Sequence, residues 1–186
     1  MTSSQPLARR HSHDCSRRAA DTVGRAAAML DMLPVVPDAV HARLSALAEG
    51  IACEPNCDLT RALRDVVVHL AATAELAHRH RVTALADELA EIIGIVEECG
   101  RNTARSFAAP WDPVGAARYR AEILRLAGDA DDAFRRLFAR WYFDIDDLAA
   151  IAGMRDVGDE LENVIRAFES VADAVLVAQP PNELSG

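Results

Sequence analysis

Lysine is absent from this sequence: all 20 of its lysine-plus-arginine residues are arginine. Arginine makes the better forked contact to carboxylate and phosphate, but its exclusive use reads as genomic composition bias rather than mechanism. Aromatic residues are scarce, at 5%, and no stretch has the alternating pattern of a strand. No apolar run reaches the ~18 residues that a membrane span needs. The N-terminus lacks the apolar centre of a secretory signal, so the chain is read as cytoplasmic. Cys15, Cys53, Cys57 and Cys99 are too few and too scattered for a secreted disulfide framework and agree with reduced thiols. Positive charge is also in short supply. A formal net charge of -9 argues against nucleic acid, whose phosphates need clustered cations, and no helix-turn-helix with a basic recognition helix is present.

Present in abundance are Ala, Leu and Val, within a hydrophobic content of 51% over 186 residues. That length and composition suit one domain with a sizeable core. The apolar periodicity is near 3.6 almost throughout, which predicts an all-α fold. Six helices are expected. The first runs from about Cys15 to Leu33, with Val23, Ala26, Leu30 and Leu33 on one face, stopped by "PVVP", and the second from about Asp38 to Glu49, with Val40, Leu44 and Leu47 inward. The third covers about Asp58 to His78, with Leu59, Leu63, Val66, Leu70, Thr73 and Ala77 in one row. The fourth, about Val82 to Phe107, holds Val82, Leu85, Leu89, Ile92, Val96, Cys99 and Thr103 on one seam through more than three heptads. Asp112 followed by Pro113 supplies a cap and first turn for the fifth, which aligns Tyr119, Ile123, Leu126, Ala130, Ala133 and Leu137. The sixth runs from about Asp144 to Ala178, with Val157, Leu161, Val164, Phe168, Val171 and Val175 as its seam. Gly153 and Gly158 cost it roughly 1 kcal/mol each, less than its buried seam returns. Residues 1–14 are read as a flexible basic tail, 15–179 as one bundle, and 180–186 as a second tail. Three helices, a short hinge near His80 to Val82, and three longer helices suggest an up-down bundle of two pseudo-repeated halves.

Several patterns could carry chemistry. "ELAH", Glu75 to His78, has the E-x-x-H spacing of di-iron bundles, which need two copies; only one occurs. "HSHDC" (11–15) and "CEPNC" (53–57) could lend ligands to zinc, but the cysteine spacing is not that of a C-x-x-C knot. Cys99 falls on a seam and reads as core. Trp111 and Trp141 flank the fifth helix and read as caps on the bundle ends. No glycine-rich phosphate loop, nucleophile elbow or Ser/His/Asp grouping appears, so no enzyme is expected.

The segment "EILRLAGDADDAFRRLFARWYFDIDDLAAIAGMRDVGDELENVIRAFESVADAV" resembles the C-terminal half of PhoU-like proteins, in the branch of phosphate-transport accessory or regulatory proteins. The likeness is clearest over residues 85–179; the N-terminal half matches only through "PDAVHARLSAL" and "LTRALRDVV". It implies a twofold-repeated helical bundle that regulates inorganic phosphate uptake by binding a phosphate transporter, with a homodimer as a further possibility. It also implies E-x-x-x-D pairs that hold iron or another divalent metal, since carboxylates four apart lie one helical turn above each other. Carried onto this chain, the candidate metal residues are Asp38, Asp65, Asp131, Glu162, Glu169 and Asp173. The pattern is broken repeatedly. Pro34 and Ala127 stand where acids should precede Asp38 and Asp131, Arg64 and Val68 flank Asp65, and Arg166 follows Glu162. Glu169 and Asp173 keep an intact pair. Glu162, Arg166 and Glu169 form an alternating ladder, which favours self-satisfied charges over a hole for a cation. The alternative reading is a metal-binding (iron or manganese) helical-bundle protein or enzyme; beyond the divalent metal or iron that the resemblance implies, no cofactor is expected.

Overall fold

The computed structural model describes residues 5–51, 58–82, 84–108, 112–143 and 148–178, the side chains of 5–12 and 142–150 excepted. Among these residues six α-helices follow one another: α1 Gln5–Ala27, α2 Pro37–Gly50, α3 Asp58–Arg79, α4 Asp87–Ser106, α5 Pro113–Phe143 and α6 Leu148–Val177, with a 3-10 turn at Leu30–Met32. No strand occurs among the described residues. The fold is the all-α bundle that the periodicity predicts. No helix is long and apolar enough to cross a membrane, among the described residues.

Interhelical contacts fix the directions. Arg136 of α5 bonds Glu91 of α4 at 2.6 Å and Arg140 bonds Glu88 at 3.1 Å, so α4 and α5 are antiparallel. Arg120 of α5 reaches Asp173 of α6 at 2.8 Å, near the opposite end from Trp141, which packs on Gly158. Likewise α2 and α3 are antiparallel through His78 and Asp38 at 2.7 Å and through Arg64 and the Ala48 carbonyl at 3.4 Å. The first three helices meet the last three along α1 with α4 and along α3 with α6. At the first of these seams two glycines cross. A Cβ on Gly100 would lie 3.4 Å from the Gly24 Cα and only 2.6 Å from the Ala27 Cβ. The halves are not packed alike internally: α4 lies along α5, whereas α1 barely touches α2.

The core is continuous from α1 to α6. Val23, Leu44, Leu63, Leu70, Leu89, Ile92, Ile123, Leu137, Leu161 and Phe168 are all fully buried, as the seams predict. Thr73 and Thr103, buried in it, are satisfied locally, Thr73 by the His69 carbonyl at 2.9 Å. Thr103 donates to the Cys99 carbonyl at 2.8 Å and shares a 2.9 Å bond with the Tyr119 hydroxyl. The Tyr119 ring meets Phe107 edge to face, and burial pushes its phenol pKa up. Cys99 is core, as expected, and burial raises its thiol to about 12, so it is inert at neutral pH.

Three boundaries differ from those expected. The helix α1 starts at Gln5 rather than Cys15, so residues 5–14, expected as a flexible tail, are helical. It ends at Ala27; Leu30 and Leu33 then reach the core from the 3-10 turn, whose i, i+3 spacing puts both on one side. The helix α4 begins at Asp87, not Val82. Val82 instead belongs to the cap of α3, donating its N–H to the Ala77 carbonyl at 2.9 Å while Arg81 donates to His78 at 3.0 Å. This is a Schellman closure with Arg81 in the left-handed region at φ 53. Asp112 caps α5 as expected, accepting from the Gly115 N–H at 2.5 Å. The expected start of the sixth helix at Asp144, the segment 180–186, the Cys53 to Cys57 loop and Trp111 lie outside the described residues.

Candidate functional site

Each face of the bundle where α6 meets a neighbour collects polar groups, and α6 separates two such faces. On the α5 side, Asp131 projects from α5, and Glu169 and Asp173 from α6. Asp173 is held by Arg120. The pKa of Glu169 is raised, first by partial burial and then by the charges of Asp131 and Asp173, with Arg166 and Arg120 acting the other way. The structure thus brings three of the six candidate metal residues into one electrostatic neighbourhood.

The others sit apart. Asp38, in the first turn of α2, faces His78 of α3 at 2.7 Å. Glu162 is bonded by Arg166 along α6, the first rung of the ladder read from the sequence. Asp65 lies on α3, on the other side of α6 from the Asp131 neighbourhood, and lines an open cleft between the two helices. Among the described residues, no three His, Cys, Asp or Glu side chains converge as a metal would need. The E-x-x-H pair is likewise divided, with Glu75 bound to Arg79 at 2.5 Å and His78 to Asp38. A search for matching protein families and for matching curated proteins finds none.

The α3/α6 cleft has a volume of about 200 Å³ and is lined by Asp65, His69, Asn163, Arg166 and Ser170, with the methyl groups of Ala62 and Ala167. Glu160 joins two of these residues. One of its oxygens lies 2.6 Å from His69 Nδ1 and the other accepts from Asn163 Nδ2 at 3.0 Å. Reading the sequence for acids alone missed His69, Glu160, Asn163 and Ser170. The available signal was spacing: Asp65 and His69 are four apart on α3, and Asn163, Arg166 and Ser170 are three and four apart on α6, each flanking an apolar seam.

A second carboxylate pair also escaped the pattern search. Glu97 of α4 is raised in pKa, by burial first and then by Asp31 of the 3-10 turn, against the opposing pull of Arg101. Two other acids are held low. At the start of α4, Glu88 is lowered chiefly by a backbone hydrogen bond, with Arg140 also lowering it. On α5, Arg125 lowers Glu122, donating to it at 2.7 Å, and donates to Asp129 at 2.6 Å. The prevailing arrangement is carboxylate met by guanidinium, on helix after helix.

Proposed function

We propose that this protein is a non-catalytic accessory or regulator of inorganic phosphate uptake, acting by binding a phosphate transporter. Its support is the resemblance of residues 85–179 to PhoU-like phosphate-transport accessory proteins, together with an all-helical bundle of six helices in the expected order. The observation that most favours binding over metal chemistry is that Glu162 and Asp173, two of the candidate ligands, are engaged by Arg166 and Arg120. Guanidinium groups among the ligands oppose a cation. In this reading the protein works in the cytoplasm. The Arg and acid rows on the outer helix faces dock on the cytoplasmic side of the transporter or on a second copy of the chain. Affinity capture of the full chain from its own cells, followed by phosphate-uptake assays on a deletion strain, tests it. Co-capture of a phosphate permease and altered uptake are expected. Unchanged uptake with no permease captured would refute the proposal.

The metal-binding reading has one observation in its favour, the Asp131, Glu169 and Asp173 neighbourhood, where partial burial first and then the charges of Asp131 and Asp173 raise the Glu169 pKa. Iron or manganese recovered in stoichiometric amount from purified protein would establish it.

A further inference from the structure

The seam between α1 and α4 runs antiparallel. A Cβ on Gly24 would stand 3.0 Å from the Ala104 Cβ, and one on Gly100 would stand 2.6 Å from the Ala27 Cβ. One turn further, four residues on from Ala27 and three back from Gly100, that register sets Asp31 of the 3-10 turn against Glu97 of α4, and the two carboxyls are within hydrogen-bonding reach. An ionised carboxylate only accepts, so a hydrogen bond between them needs a proton on one. The groups around the pair leave that need unmet. On α4, Arg101 donates twice to Glu98, at 2.9 and 2.8 Å, and reaches Glu97 only at 3.3 Å. On α1, the one charged residue between Gly24 and Asp31 is Arg25, which is bonded to the Thr22 hydroxyl at 3.1 Å. On the α5 side of α4, Glu122 and Arg125 act on Cys99, and no charge of α5 or α6 stands beside Asp31 and Arg101 among the leading influences on Glu97. The Glu97 side chain is only 14% exposed, and Leu30 and Leu33, on either side of Asp31, are buried, so neither acid moves away at little cost.

From this we infer that Asp31 and Glu97 form a proton-operated clasp: a shared proton closes the 3-10 turn onto α4, and its loss loosens the link between α1 and α2. The raised pKa of Glu97, caused first by burial and then by Asp31 against the pull of Arg101, agrees in direction. A carboxyl whose pKa is raised on folding holds its proton more tightly in the folded chain. Its contribution is therefore complete below the ordinary carboxylate range and is lost as pH rises through the raised value. Opening the turn would add Leu30 and Leu33 to the exposed Met32, Val35 and Val36 beside them. Burial of the two leucines limits the response to how often the turn opens, without displacing it outright. This inference is independent of the proposed role in phosphate uptake and stands or falls separately.

The amides that close the turn report on it: Leu33 donates to the Leu30 carbonyl, and Val35 and Val36 both donate to that of Met32. Hydrogen exchange of these amides, followed by NMR on the full chain at pH 4.5 and pH 7.5 and corrected for the intrinsic rate at each pH, tests the clasp. Their protection is expected to fall at the higher pH by roughly fivefold, the factor that two unit charges about 4 Å apart exchange in water-like surroundings. Glu97→Gln and Asp31→Asn, which keep the shape and remove the titrating group, should each abolish the fall. Glu122→Gln, at an acid already paired with Arg125, should leave it as in the parent. The inference is overturned by any of three results: equal protection at the two pH values in the parent, a fall that persists in either Glu97→Gln or Asp31→Asn, or its loss in Glu122→Gln.

Discussion

Gly153 and Gly158 admit side chains onto α6 that no other residue there would allow. A Cβ at Gly153 would meet the His80 Cβ at 2.7 Å, and His80 uses that proximity to place Nε2 2.8 Å from Asp156. A Cβ at Gly158 would stand 3.2 Å from the Trp141 ring, itself stacked edge-on with Phe138. From the sequence both glycines read only as a helix-propensity cost, because the partners that approach them are ~17 to ~73 residues away along the chain and no local pattern marks the approach. Arg81 is a comparable case. Its φ of 53 is the left-handed position that closes α3, where glycine carries no Cβ penalty. Arg81→Gly should therefore stabilise the protein, by about 0.5 to 1 kcal/mol after the greater freedom of glycine in the unfolded chain is subtracted, read as a higher urea midpoint. Glu169 supplies a test with a pH sign. Its pKa is raised in the folded protein, so the folded state holds its proton more tightly, and the residue opposes folding once pH rises above that range. Glu169→Gln should raise the unfolding midpoint at pH 7, and the gain should shrink as pH falls through the carboxylate range. A lower midpoint at pH 7 would mean that Glu169 serves a bound cation instead.

Among the elements, α1 and α4 cross through small residues, Gly24, Ala27, Gly100 and Ala104. The seam positions of both helices were legible in the sequence because burial follows the 3.6 period over many turns. Helix ends were not, because they depend on caps and neighbours. Val82 carries the right spacing for α4 but is committed to the α3 cap, and the Leu30 to Leu33 spacing fits an α-helix or a 3-10 turn equally. The crossing itself gives a paired test within α4. Gly100→Ala would set a Cβ 2.6 Å from Ala27 and should destabilise by about 1 to 3 kcal/mol. Gly94→Ala, with nothing within 4 Å, should stabilise by about 0.5 to 1 kcal/mol. Chemical denaturation of the two variants beside the parent reads both signs. The acids of the candidate site were legible as residues but not as a group. Periodicity places Asp65 and Asp131 on their helices, but it does not say that α6 stands between them, with Arg120 and Arg166 on its flanks.

At the scale of the whole molecule, one core joins all six helices, and its centre is intolerant of loss. Phe168, fully buried, should cost about 3 to 5 kcal/mol when cut to Ala, a large part of the ~5 to 15 kcal/mol that holds a domain of this kind. A drop in the thermal midpoint with one sharp transition is the expected reading. Outside the core, a net charge of -9 is spread over helices whose carboxylates are repeatedly met by arginine. The pairs run within α4 and α5 and between α4 and α5, and between α5 and α6. Exposed pairs of this kind add little stability each; in the proposed reading their larger consequence is that arginine, not an ion, is the counter-charge of the paired acids. Thermal unfolding of the purified chain before and after exhaustive chelation, with the metal content measured on the same samples, tests that claim most directly. An unchanged midpoint and no stoichiometric metal are predicted; a midpoint that falls on chelation and returns with iron or manganese would contradict it.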